Sequence, residues 1–268
     1  MKIVVLMGSP RKKDGYKVCE KVRESLEKKV GEALEFEYIM LKKLNLEECR
    51  GCELCLTKGE KFCPIKDEAS MLVEKMKAAD GLILLSPVYA CQVSATFKKM
   101  VDRLSYLFHR PELVEKPVIT ILTTAGGGIK ATNSYLKLVA QGWGCQLVGS
   151  IQVACTRYFD GRWECPKADE RYQQQVNAKI EKLTSKWAVE MNNRKKGILP
   201  KPSLYEVYMF SAMRSKIYTS RADFAYWTEK GWTKSNYYYE TQLPIGGKLV
   251  EKIMDKIVEM MIKKMGVE

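Results

Sequence analysis

The stretch Lys2-Ile3-Val4-Val5-Leu6-Met7-Gly8-Ser9-Pro10-Arg11-Lys12-Lys13-Asp14-Gly15 decides the fold. From Lys2 to Met7 it is a nearly continuous apolar, β-branched run, the pattern of a strand buried on both faces. Gly8 ends the run and permits a tight turn. Helical spacing begins near Gly15, with Val18, Val22, Leu26 and Val30 four residues apart. A helix that starts just after a strand offers free backbone N–H groups and the positive end of its dipole, which together bind anions. Ser9 can add a hydroxyl donor and Arg11 a charge-assisted bond to phosphate. The loop is neither a Walker loop nor a dinucleotide fingerprint, because both glycine spacings are absent.

Outward from this unit, strand and helix signals alternate. Leu34–Met40 reads as a second, more alternating strand, and Asp67–Ala78 as a helix carrying Met71, Leu72, Lys75 and Met76. Gly81–Leu85 is a third strand, and Val93–Phe108 a helix with Phe97, Met100, Val101 and Leu104 inward. Pro117–Leu122 is a fourth strand, followed by glycines 126–128 and a helix to about Trp143. Leu147–Ala154 is a fifth strand, and Asp169–Asn192 a fifth helix. Such alternation predicts an α/β, doubly wound five-stranded parallel sheet with right-handed crossovers. These sheets bind ligands beyond the carboxyl ends of their strands. Glycines, prolines and polar residues gather at those ends, in 8–15, 86–94 and 123–130, so three loops are expected to share one nucleotide crevice.

Composition narrows the class. Of 268 residues, 46% are hydrophobic and 29% charged, which suits a globular chain with a sizeable core. No apolar run reaches about 18 residues, so no membrane span is expected. The apolar N-terminal run is too short for a signal peptide, which points to the cytoplasm. The net charge is +13, yet basic residues are spread from end to end and no basic block is longer than Arg194-Lys195-Lys196. With no nucleic-acid motif, that surface favours phosphates rather than DNA or RNA. His109 is the single histidine, read as a helix cap or surface residue, so no Ser-His-Asp hydrolase can be assembled around it.

Nine cysteines in a reducing compartment are seldom disulfides. Four form Cys49-x2-Cys52-x2-Cys55-x7-Cys63-Pro64, a spacing that suits a 4Fe–4S cluster better than tetrahedral zinc. Unmetallated, redox-active thiols are the other reading. Cys19, Cys91 and Cys145 read as small core hydrophobes, Cys91 with a possible place beside a ligand. Cys155 and Cys165 flank the loop after the fifth strand.

Past Asn192 the texture changes, dividing the chain into 1–192 and 193–268. A basic, proline-containing linker precedes 203–240, which holds eleven aromatic residues including Trp227, Trp232 and Tyr237-Tyr238-Tyr239. These suit a second core, a lid or a dimerisation element. Gly247–Met265 is an amphipathic helix with Val250, Met254, Ile257, Met261 and Met265 on one face, for packing or for a membrane surface.

Gly8-Ser9-Pro10-Arg11, Ser86-Pro87-Val88-Tyr89 followed by Val93-Ser94-Ala95 and Lys98, and Asp102-Arg103 together resemble a known group over roughly residues 1–155. It is the NADPH-dependent FMN reductase and iron–sulfur flavoprotein group of the flavodoxin-like superfamily. The resemblance implies a flavodoxin-like strand order 2-1-3-4-5 and FMN as cofactor, while the sequence past Asn192 adds a mainly helical, aromatic-rich C-terminal appendage. It places Ser9, Arg11, Gly15 and Tyr16 on the phosphate. Pro87, Val88, Tyr89, Gln92, Val93 and Ser94 fall on the flavin, with Thr124, Ala125, Gly126 and Gly127 from the next loop. Gly15-Tyr16-Lys17 stands where the family often has an asparagine followed by a small hydroxyl residue, leaving that donor to Lys17 or a backbone amide. The cysteine motif resembles that of iron–sulfur flavoproteins, implying Cys49, Cys52, Cys55 and Cys63 as 4Fe–4S ligands.

The implied activity is an FMN-dependent oxidoreductase that takes hydride from NAD(P)H. Its electrons pass to a small acceptor (quinone, nitro compound or flavin) or to the cluster; the alternative is a non-enzymatic carrier exchanging electrons with ferredoxin. No catalytic acid or base is expected, since the cofactor carries the chemistry. The resemblance also implies a homodimer or homotetramer.

Overall fold

The structure, a computed structural model, describes residues 1–161 and 167–265. Cys165 and the side chains of Met261 and Met265 lie outside the described residues. The first unit is β1 (Lys2–Met7), α1 (Asp14–Glu27) and β2 (Glu35–Met40). The cysteine segment follows with the one-turn helix α2 (Leu54–Thr57), leading to α3 (Ala69–Ala78). Then come β3 (Gly81–Tyr89), β4 (Gln92–Val93), α4 (Ala95–Arg103), β5 (Pro117–Thr124), α5 (Ile129–Gly142) and β6 (Gln146–Ala154). The chain closes with α6 (Cys155–Tyr158), α7 (Glu170–Lys195), α8 (Leu204–Lys216), α9 (Arg221–Glu229) and α10 (Gly247–Met265).

The five long strands are parallel in the order β2-β1-β3-β5-β6, the expected doubly wound arrangement. The period-2 geometry of a strand explains why β1 had to be apolar throughout. Val4 and Leu6 face one layer with Leu82, Leu84 and Phe97, while Ile3, Val5 and Met7 face the other with Val18, Val22 and Trp187. All five side chains are fully buried. At about 1.5–3 kcal/mol each, β1 alone contributes on the order of 10 kcal/mol, comparable to the whole net stability of a domain.

Two elements differ from the sequence pattern. β3 runs past Leu85 to Tyr89 and folds back as β4 in an antiparallel pair, Val88 opposite Val93 and Tyr89 opposite Gln92. The helix expected over 93–108 begins at Ala95, because Ser94 caps it by accepting from the Phe97 N–H, and ends at Arg103. A separate 3-10 turn spans Ser105–Phe108.

The C-terminal aromatics form a third core of Phe210, Ile217, Trp227, Trp232 and Tyr237, packed against Val114. Trp227 lies 5.3 Å from Phe210 and 5.6 Å from Trp232 between ring centroids. Both indoles are satisfied: Trp227 Nε1 donates to the His109 carbonyl (2.7 Å) and Trp232 Nε1 to that of Tyr238 (2.8 Å). A Ser203/Glu206 capping box starts α8. α10 lies on α8, with Arg214 paired to Asp255. Val250 and Met254 are half-buried, whereas Ile257, expected on the same inward face, is exposed. Among the described residues, no helix is long and apolar enough to cross a membrane.

Candidate active site

The first loop is anchored at both ends. Gly8 N–H continues the β1 ladder to the Leu85 carbonyl (2.7 Å), and its own carbonyl accepts from Ser94 Oγ (2.7 Å) and Thr96 Oγ1 (3.1 Å). Ser9 Oγ donates to the Arg11 carbonyl (2.8 Å), so its hydroxyl shapes the loop. α1 starts without a side-chain cap at Lys13, which leaves first-turn N–H groups to a ligand. Arg11, Lys12 and Lys13 are exposed around that end. Gly15 has a packing reason: a Cβ there would lie 2.9 Å from Leu85 Cδ2. The Tyr16 ring is turned to the β2 side, 5.1 Å from Tyr38 and beneath Lys12 Nζ at 5.0 Å. Only its backbone remains at the helix start.

In the second loop, Ser86 Oγ donates to the Pro87 carbonyl (2.8 Å) and accepts from Ser94 N–H (3.1 Å), joining both arms of the hairpin. Pro87, Val93 and Ser94 are buried, and Val88 half-buried. The two-residue turn is Ala90-Cys91, with φ of 46° and 61°. Two central residues at positive φ make the mirror-image turn that normally takes Asn-Gly. An alanine and a cysteine there each cost about 1–2 kcal/mol, strain of the kind that collects at functional sites. Tyr89 is 46% exposed, so it is not a core tyrosine, and Gln92 and Cys91 are exposed beside it.

The third loop meets the second at this turn. Thr132 Oγ1 donates to the Cys91 carbonyl (3.1 Å), and a Cβ on Gly128 would lie 2.5 Å from Cys91 Cα. Gly128, at φ 82°, is therefore the glycine that close approach requires. Gly126 and Gly127 have nothing within 4 Å of a Cβ and, with Ala125, line open space. Thr124 Oγ1 accepts from Gly126 N–H (3.1 Å) and fixes the loop's base. The loops after β1, β3 and β5 are thus joined in sequence, the first to the second through Gly8–Ser94 and the second to the third through Cys91–Gly128.

The cysteine segment leaves the carboxyl end of β2, on the same edge of the sheet. Cys49 and Cys52 are exposed, Cys55 and Cys63 half-buried, and all four are free thiols. Arg103, in the last turn of α4, forks onto Asp67 (Nε to Oδ2 2.9 Å, Nη2 to Oδ1 2.8 Å) and reaches Cys63 Sγ through Nη1 at 3.4 Å. Burial pushes the Asp67 carboxyl up, but hydrogen bonds from Arg103 and from the Glu47 and Ala69 amides hold it below the usual range. Burial raises the Cys55 thiol; Ser105 and Arg110 oppose the rise, and Cys63 and Cys49 add to it. A cavity of about 190 Å³ lies under Cys55 and Cys63, walled by Asp67, Arg103 and Tyr106.

Four soft donors free of disulfides fit an iron–sulfur cluster by their chemistry. Among the described residues, no three His, Cys, Asp or Glu side chains are drawn close enough to hold a metal ion. The donor set fits; its arrangement is open.

Sequence reasoning missed the groups behind the thiols. Arg110, its guanidinium 4% exposed, binds buried Asp223 of α9, which also takes His109 Nδ1 at 2.9 Å. His109 is thus the C-cap of the 3-10 turn, its N–H bonded to the Tyr106 carbonyl (2.9 Å), as the helix-end reading expected, and it is half-buried and paired as well. Ser220-Arg221-Ala222-Asp223 carries a helix-start signal that could have placed the carboxylate, though not its partner. Cys19 and Cys145 are buried as expected, while Cys91 is exposed on its turn.

Residues 1–160 match the NADPH-dependent FMN reductase family. An iron-sulfur flavoprotein of Archaeoglobus fulgidus is 30% identical over 235 residues, spanning 86% of this chain and 99% of that protein. Another, of Methanosarcina thermophila, is 29% identical over 198 residues, 73% of this chain and 100% of that one. Among solved structures, RosB with a bound 8-demethyl-8-formylriboflavin-5'-phosphate intermediate shares the fold at 12% identity and a TM-score of 0.56, covering 91% of this chain and 92% of its own. With the match spanning over half of its length and the Archaeoglobus relative aligned almost end to end, the chain belongs to the NADPH-dependent FMN reductase family, as an oxidoreductase of flavodoxin-like fold.

Proposed function

We propose that this oxidoreductase takes hydride from NAD(P)H, with FMN seated on the three joined loops, and delivers electrons to an iron–sulfur cluster on Cys49, Cys52, Cys55 and Cys63. The observation that carries the reading is a cleft of about 670 Å³, with Cys49 and Gly51 on one wall and Ala95 and Thr96 on the other. Thr96 is also the residue whose hydroxyl reaches the Gly8 carbonyl, which ties the cleft wall to the first loop. That volume lies within the roughly 300–1,000 Å³ of small-molecule sites.

FMN supplies the conversion between a two-electron donor and a one-electron acceptor. The chain supplies placement. Arg11, Lys12, Lys13 and the uncapped start of α1 would hold and neutralise the phosphate. Tyr89 and Gln92 stand exposed at the hairpin for the ring, and the Gly126–Gly127 backbone leaves room for its approach. Basic surface around the site favours the phosphates of the dinucleotide.

Anaerobically purified protein should show flavin absorbance together with iron and acid-labile sulfide, and NADPH or NADH should bleach the flavin band. No bleaching by either nucleotide refutes the reductase reading; flavin without iron and sulfide refutes the cluster.

A further inference from the structure

We infer that the C-terminal aromatic segment is a working part of the thiol centre: Asp223 of that segment, acting through Arg110, and Ser220, acting on the Leu56 carbonyl, position Cys55. The inference rests on the proposed role of Cys55 as a ligand, and it can be tested separately from that role.

α2, which carries Cys55, is a single turn of four residues opening at Glu53 with φ 57°. A helix that short has no stability of its own, and its last carbonyls lack intrahelical donors. The carbonyls of Glu53 and Leu54 are used within the turn, by the Leu56, Thr57 and Lys58 amides. Those of Cys55 and Leu56 accept from outside it. Arg110 Nη2 donates to the Cys55 carbonyl and, at 3.2 Å, to Glu60 Oε2. The Leu56 carbonyl accepts from Ser220 Oγ at 2.6 Å and from Arg110 Nη1 at 3.4 Å.

Arg110 is in turn aimed by α9. Its Nη1 donates to Asp223 Oδ1, and both side chains are almost wholly buried, at 4% and 2% exposed. Ser220 caps α9 by accepting from the Asp223 N–H at 3.2 Å, so the hydroxyl and the carboxylate are fixed by one helix start. The remaining carboxylate oxygen faces His109 Nδ1. Among the described residues, the hydrogen bonds that reach the Cys55 and Leu56 carbonyls from outside the turn therefore come from this network, whose buried carboxylate, Asp223, and hydroxyl, Ser220, both belong to the C-terminal segment. Asp223 and Ser220 are positioning residues.

The test follows single thiols in the reduced, chelator-treated full chain by timed alkylation with iodoacetamide and mass spectrometry. In Asp223→Asn and Ser220→Ala, Cys55 should label about tenfold faster, the factor expected when a buried charged or hydroxyl hydrogen bond is lost. Cys145 in the sheet core should stay protected, and Ser220→Thr, which keeps the hydroxyl, should return Cys55 to its native rate. Should Asp223→Asn unfold and expose Cys145, Ser220→Ala decides. An unchanged Cys55 rate in Ser220→Ala, or one that rises only together with Cys145, overturns the inference. After iron and sulfide reconstitution, the visible spectrum of Ser220→Ala should differ from wild type and that of Ser220→Thr should not. A wild-type chain that takes up no iron yet shows the labelling pattern refutes only the cluster.

Discussion

Gly127 and Gly128 are neighbours in the loop after β5, yet the structure gives them opposite reasons for lacking a side chain. Gly128→Ala would force an alanine to φ 82° and set its Cβ 2.5 Å from Cys91 Cα. The left-handed backbone costs about 1–2 kcal/mol and the clash, against main chain that no rotamer relieves, about 1–3. The sum, roughly 2–5 kcal/mol, is a large part of a typical net stability. Gly127 has no positive φ, and its Cβ would meet nothing within 4 Å. Gly127→Ala should leave the flavin-free protein within about 0.5 kcal/mol of wild type, the usual range for open surface positions. Its methyl group would instead occupy the space assigned to the ring, weakening FMN by about tenfold, near 1.4 kcal/mol. Urea unfolding without flavin and fluorescence titration with FMN separate the two effects. Equal destabilisation by both substitutions would refute the packing argument. Unchanged FMN affinity in Gly127→Ala would remove that loop from the flavin site.

Ala90→Gly relieves a positive φ at an exposed position and should raise stability by about 1 kcal/mol, read as a shift in the urea midpoint. Arg103→Met strands the buried Asp67 carboxylate and should cost about 3–5 kcal/mol, whereas adding Asp67→Leu should recover most of it by the same measurement. Because the Asp67 carboxyl titrates below its ordinary value of about 3.9, its contribution is complete above that pH and lost as pH falls through the lower folded value. Asp67→Asn should therefore lose less stability than wild type between about pH 5 and about pH 2, with urea unfolding across that window as the check. Replacing Arg110 and Asp223 together by Met and Leu should leave stability within about 2 kcal/mol of wild type while Cys55 still labels rapidly. Iodoacetamide at mildly alkaline pH should label Cys49, Cys52 and Cys91 first and spare Cys19 and Cys145, whose thiols burial pushes up to about 12.

The sheet was legible because each of its strands solves a local problem. β1, β3 and β5 are buried on both faces, so their runs are almost wholly apolar, broken between Pro117 and Leu122 of β5 only by Thr120, and bounded by glycine or proline. The three loops were legible for the same reason: glycines, prolines and polar residues gather where such strands end. The β4 hairpin was not, because its turn uses Ala90-Cys91 instead of the glycine or asparagine that positive φ advertises. Gly15 and Tyr16 show a second limit. Their place in the motif was readable, but Gly15 faces Leu85 and the Tyr16 ring faces Tyr38, contacts fixed by how α1 lies on the sheet. Arg110 and Asp223 lie 113 positions apart, and no local period links an arginine after a 3-10 turn to an aspartate in an aromatic segment.

That pair also explains why the seam between the sheet and the C-terminal core is charged at all. An apolar seam would serve stability as well, since the desolvation of two buried charges offsets most of their attraction. Among the described residues, Arg110 even keeps one buried donor, Nε, without a partner, which by itself costs about 1–3 kcal/mol. What a guanidinium offers and a leucine cannot is direction: a planar fork held by the buried Asp223 carboxylate and the half-exposed Glu60, whose Nη groups also reach backbone carbonyls. Those carbonyls belong to Cys55 and Leu56. Arg103 repeats the arrangement at the other end of the segment, held by Asp67 and pointing at Cys63 Sγ and the Ile65 carbonyl. Two arginines, each aimed by a buried aspartate, converge on the two half-buried cysteines, while exposed Cys49 and Cys52 have no such support. The buried charges are therefore explained by the geometry of the thiols and not by the stability of the fold.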